Sequence, residues 1–161
     1  MLNKKAVGAV LMAGILAISI SVILIRFAQA SPAVIAFYRL FLAVLILLPW
    51  ALQEGKRTKI SRRQLALMAL SGVFLALHFL LWITSLNHTS VASSAVLVAT
   101  QPLFGFLLAR LFQLEVPPAS MWAGLVLSLV GTVIVVFSQG FGGQSRLLGN
   151  VLALGGALMM A

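Results

Sequence analysis

The chain has no cysteine and no aspartate, and only two of its 161 residues are acidic, Glu54 and Glu115. Without cysteine there is no disulfide and no thiolate metal site. Two histidines are too few for a protein-built zinc site of the usual kind, and no pair of carboxylates is available for acid and base catalysis. The glycine cluster Gly140 to Gly143 precedes no phosphate-binding lysine and reads as a flexible connection. The sequence therefore reads as a non-enzyme, with no metal and no cofactor.

Apolar residues make up 62% of the chain and charged residues 8%, with a mean hydropathy of +1.16. A soluble domain of this length has too little interior to hide so many apolar side chains, whereas lipid can face them directly. About twenty apolar residues in a helix cross a hydrocarbon core of roughly 30 Å. Ala6 to Ile25, Leu65 to Leu86, Val91 to Ala109 and Ala119 to Ser138 are uncharged runs of that kind, and Pro32 to Leu52 carries only Arg39. Leu147 to Ala161 is apolar but too short to cross. Transmembrane strands alternate apolar and polar residues, and these runs do not. The expected fold class is all-α: a polytopic transmembrane helix bundle with five spans and a truncated sixth.

The formal charge of +9 would suggest nucleic acid in a soluble chain, but its placement points elsewhere. Lys4, Lys5, Lys56, Arg57, Lys59, Arg62, Arg63 and Arg110 all fall on one side of the membrane, Arg26 and Arg146 on the other, and Arg39 within a span. That asymmetry predicts a cytoplasmic N-terminus in a cell (plasma or inner) membrane. The basic run Lys56 to Arg63 has no interleaved aromatic residue for base stacking, so the expected partner is the lipid bilayer and no nucleic acid. Lys4 and Lys5, an apolar stretch and Ala28-Gln29-Ala30 imitate a secretory signal. The run is longer than a signal core and Arg26 interrupts the approach to the site, which predicts an uncleaved first helix.

Polar residues inside the spans are the candidates for function. Arg39 sits about 10 Å below the surface, where a charge costs on the order of 3 kcal/mol unless it pairs or snorkels. It is read either as a lipid-phosphate or carbonyl contact, or as an anion contact or anchor in the bundle. Ser71, His78, Trp82 and Ser85 share one face of the third span, and that face must point to protein or to a water-filled cavity. An imidazole there can exchange protons during transport, or simply bond a neighbouring helix. Trp82 reads as packing or as an aromatic wall. In the fourth span Pro102 predicts a kink over Leu97 to Pro102, beside which Gln101 either lines a cavity or bridges helices. Gly124, Ser128 and Gly131 form a small-residue stripe that predicts close helix approach. Glu115, after the fourth span, pairs with Arg110 or gates, and Pro117 and Pro118 set the next turn. His88 is expected in an external loop without a role. His78, Trp82, Ser85, Gln101 and Arg39 are the substrate-cavity candidates.

The order Pro32-Ala33-Val34-Ile35-Ala36-Phe37-Tyr38-Arg39, then Leu77-His78-Phe79-Leu80-Leu81-Trp82, then Thr89-Ser90-Val91-Ala92-Ser93-Ser94, followed by Pro102, Glu115 and Gly124, resembles the EamA-type permeases of the drug/metabolite transporter superfamily. The resemblance implies ten helices in two homologous five-helix halves and the movement, often outward, of small metabolites through a cavity between them. Independently, Gly8, Val10, Leu11 and Gly14 recur 141 positions later as Gly149, Val151, Leu152 and Gly155. A repeat of five helices is odd-numbered, so a second copy enters the membrane from the opposite side. Residues 1–140 then form the first repeat and 141–161 an external loop and the start of the second. The expected partners are a small-molecule substrate and a missing C-terminal half, without which the chain should be inactive. Two functions remain open: a secondary transporter working by alternating access, and a non-transporting membrane scaffold or assembly subunit.

Overall fold

A computed structural model of the protein describes residues 4–55, 60–112, 120–138 and 143–161. Among these every regular element is a helix: α1 (Lys4–Phe27), α2 (Pro32–Gly55), α3 (Arg62–His88), α4 (Val91–Val98), α5 (Gln101–Leu111), α6 (Ser120–Ser138) and α7 (Gly143–Met160). This is the expected polytopic helical bundle. Among the described residues four stretches are long and apolar enough to cross a membrane, namely Ala6–Phe27, Pro32–Gly55, Arg62–His88, and Val91–Leu111, which joins α4 and α5. The fifth expected span coincides with α6, whose apolar stretch is Trp122–Ile134, and the sixth with the apolar Arg146–Met160 of α7.

Local chemistry sets the helix ends. Pro32 starts α2, where its missing N–H costs nothing, and Ser31 Oγ accepts from Val34 N at 3.4 Å. Ser61 and Gln64 make a reciprocal capping box on α3, with Ser61 N donating to Gln64 Oε1 at 2.8 Å and Gln64 N to Ser61 Oγ at 3.3 Å. Ser90 caps α4 by accepting from Ser93 N at 3.0 Å. The kink expected over Leu97 to Pro102 is a full break: α4 stops at Val98 and α5 starts at Gln101. Pro102 cannot donate to the preceding turn, and Thr100 Oγ1 donates to Leu97 O at 2.6 Å within the break. His88, expected in a loop, is the last residue of α3, whose helical pattern continues until the Thr89 cap.

Burial is concentrated toward one end of the bundle. Val22 of α1, Ala36 of α2 and Trp82, Ile83 and Leu86 of α3 form a cluster joined by Ile25, Ile35, Phe79, Val91 and Val98. At the other end residues 6–20, 41–55 and 60–74 of α1, α2 and α3 are almost wholly exposed. Phe106 and Trp122 pack edge to face, with centroids 4.4 Å apart, and tie α5 to α6.

Candidate functional site

Among the described residues the most extensive helix contact is between α3 and α7, with α4 closing on α7 as well. The pair runs antiparallel, since Gly149 meets the end of α3 at His88 and Thr89 while Gly156 meets His78 and Trp82. Gly149 permits this approach because a Cβ there would stand 2.7 Å from Thr89 N and 2.8 Å from His88 C, which are backbone atoms that cannot step aside.

Polar side chains line this seam. His78 is 6% exposed, and its Nδ1 lies 2.8 Å from Gly156 O. A carbonyl only accepts, so this contact puts the ring proton on Nδ1. Nearer the end of α3, Asn150 Oδ1 accepts from Thr89 Oγ1 at 2.9 Å and from Ser93 Oγ at 3.1 Å. Ser85 Oγ lies 2.6 Å from Ser94 Oγ and donates to Trp82 O. Gln101 Nε2 reaches Met160 O at 3.3 Å. Each of these hydroxyl, amide and imidazole groups is met by another helix or by its own backbone, as a low-dielectric environment requires.

Arg39 occupies the other side of α3. Its guanidinium stands over the Phe79 ring at 4.6 Å and the Trp82 ring at 5.4 Å, and Nη1 donates to Ser21 Oγ at 3.0 Å. The cation thus rests on two aromatic faces, a favourable contact in a dry setting. Phe79, Trp82 and His78 are themselves in ring contact, with centroids 4.9 to 6.1 Å apart. Trp82 Nε1 is buried and has no hydrogen-bond partner among the described residues. Arg39 also lines an open groove of about 370 Å³ between α1 and α2, with Ser21 and Tyr38 among otherwise apolar walls.

Of the five candidate residues, the structure brings four into one chain of contacts: Arg39 on Trp82, Trp82 beside His78, and Ser85 one turn further along α3. Gln101 stands apart on α5, holding the end of α7. Sequence reasoning passed over Asn150, Phe79 and Ser21. Asn150 carried a usable signal, as a strongly polar side chain inside an apolar stretch, whereas Phe79 and Ser21 matter only through the packing of α1 and α2 on α3. Gly124 and Gly131 were expected to allow close helix approach, yet no described atom lies within 4 Å of a Cβ placed on either. Glu115, prolines 117 and 118, glycines 140 and 142, and residues 56–59 of the basic run lie outside the described residues.

The sequence profile of the EamA-like transporter family matches residues 4–137. The match spans α1 to α6 with every Arg39, His78 and Trp82 contact just described except those to α7, and the chain belongs to that family. No curated protein and no solved structure gives a significant match.

Proposed function

We propose, from that membership, that the chain forms one five-helix half of a secondary transporter and the start of the other, and that the complete protein moves small organic metabolites outward by alternating access. The observation that carries the proposal is the family match over residues 4–137, and two features agree with it. The 141-residue recurrence of the Gly8 pattern at Gly149 fits an inverted repeat. Buried polar and aromatic groups run from Arg39 through Trp82 to His78 across the bundle instead of facing outward at random. In this reading the N-terminus is cytoplasmic in a plasma or inner membrane, His78 and Trp82 border the substrate path, and Ser85, Gln101 and Arg39 flank it.

One observation favours the scaffold alternative: His78 and Gln101 spend their hydrogen bonds on α7 carbonyls. The two readings part in a transport assay. The whole protein in vesicles loaded with a metabolite mixture should release some components faster than empty vesicles do, and His78→Ala or Trp82→Ala should slow that release while membrane expression stays near normal. Vesicles that retain every metabolite alike would leave the scaffold.

A further inference from the structure

We infer that the cleft between α1 and α2 is a binding site for an amphipathic organic anion, with a carboxylate or comparable singly charged head on Arg39 and an apolar body along Ile25, Val34 and Leu24. A guanidinium carries five N–H donors and cannot shed its proton, and among the described residues Arg39 spends one donor, on Ser21 Oγ. It makes no ion pair with any of them. Glu54 is at the far end of α2, and Glu115 lies outside the described residues. A half-buried cation in a membrane segment is normally met by a counter-charge, and among the described residues none stands beside it.

Geometry then selects the ligand. Phe79 and Trp82 stand against the guanidinium, 4.6 and 5.4 Å from its central carbon, and neither ring supplies a hydrogen-bond acceptor, so the N–H groups not spent on Ser21 are left for an anionic acceptor. The adjoining groove is open on one side and offers about 370 Å³, room for a small organic ligand laid against its wall. Apart from Ser21, Tyr38 and Arg39 its walls are apolar, which suits a hydrocarbon or aromatic body and disfavours a sugar or a multiply charged phosphate ester. Two sources share this chemistry: a free organic carboxylate, and the headgroup of an anionic lipid. As a substrate class it rests on the transport reading above, but binding needs no turnover.

Trp82 lies directly under the guanidinium and reports on it. With Trp50 and Trp122 replaced by Phe, Trp82 is the sole tryptophan, and the whole protein can be titrated with octanoate in phosphatidylcholine nanodiscs while its emission is followed. The expected result is a saturable change that 1-octanol, of equal chain length and no charge, does not give. Arg39→Gln should weaken it about tenfold or more, and Arg39→Lys should restore part of it. Ile25→Trp is unsuitable in a fluorescence assay, so Ile25→Phe serves as the second variant, filling the groove while leaving Arg39 intact, and it too should block binding. Nanodiscs containing phosphatidylglycerol separate the sources. Competition with octanoate there assigns the site to lipid headgroups, and undiminished octanoate binding assigns it to free carboxylates. Equal octanoate affinity in native and Arg39→Gln protein, with both melting cooperatively, would overturn the inference, as would equal responses to octanoate and octanol. Saturable binding without release from vesicles would keep the site and defeat the transport reading instead.

Discussion

At the scale of single residues, two glycines that share a sequence pattern predict opposite outcomes. A Cβ at Gly149 would collide with the backbone of Thr89 and His88, whereas one at Gly8 meets nothing within 4 Å. Gly149→Ala should therefore cost about 1–3 kcal/mol by overpacking a rigid contact. Gly8→Ala should instead stabilise α1 by roughly 0.5–1 kcal/mol, because alanine loses less backbone entropy in a helix. Thermal melts of the two variants in one detergent test the pair, and equal shifts would contradict the α3 to α7 geometry. Asn150 offers a second test, since its Oδ1 accepts from both Thr89 and Ser93. Interhelical hydrogen bonds in membranes average about 0.6 kcal/mol, so Asn150→Leu should cost on the order of 1 kcal/mol. Thr89→Val should cost measurably less in the Asn150→Leu background than alone, because the acceptor it served is already gone. The candidate residues Arg39, His78 and Trp82 were legible in the sequence because polar and aromatic groups in an apolar run must have a partner. Which partner they take was not legible, since the Gly156 carbonyl, the Ser21 hydroxyl and the Phe79 ring come from positions 78, 18 and 40 residues away in the chain.

At the scale of elements, the apolar runs located the helices to within a few residues, because lipid leaves an unpaired backbone no other solution than a helix or a closed barrel. The ends depended on finer chemistry. The third span read as Leu65 to Leu86 extends to Arg62–His88, three residues earlier at the Ser61 and Gln64 box and two later at the Thr89 cap. Ser61→Ala should cost about 1 kcal/mol and speed hydrogen exchange in the first turn of α3 while leaving the turns around His78 unchanged. Uniformly faster exchange along α3 would mean that the cap holds the whole helix. The break between α4 and α5 follows Pro102, which the sequence did expose, but its sharpness rests on the Thr100 hydroxyl bonded to Leu97 O. Pro102→Ala restores the missing donor and should let the two helices merge across Ala99 and Thr100. Slower amide exchange at Leu103 to Phe106 would register the merger, and unchanged exchange would place the cause of the break elsewhere.

At the scale of the whole molecule, the contrast between α1 and α7 is the guide to assembly. α7 is held along its length by α3, α4 and α5, while residues 6–20 of α1, which carry the matching glycine pattern, are exposed. In an inverted repeat each first helix would cross to the opposite half, and α7 on α3 is then one of two such crossings. Orientation is the step that can be tested directly. The 27 residues of α3 rise about 40 Å, more than a hydrocarbon core of roughly 30 Å, so both ends emerge into water or headgroups. The Asn87 end lies with the start of α7, the segment that carries Arg146, and the Ser61 end belongs to the segment rich in lysine and arginine. The positive-inside bias then predicts Ser61 in the cytoplasm and Asn87 outside. Both residues are exposed, and the chain is free of cysteine, so Ser61→Cys and Asn87→Cys each create one accessible thiol in intact cells. A membrane-impermeant maleimide should label Asn87→Cys at once and Ser61→Cys only after the cells are permeabilised. The reverse pattern would invert the topology, and labelling of both from outside would mean that the chain inserts in two orientations and can supply its own inverted partner.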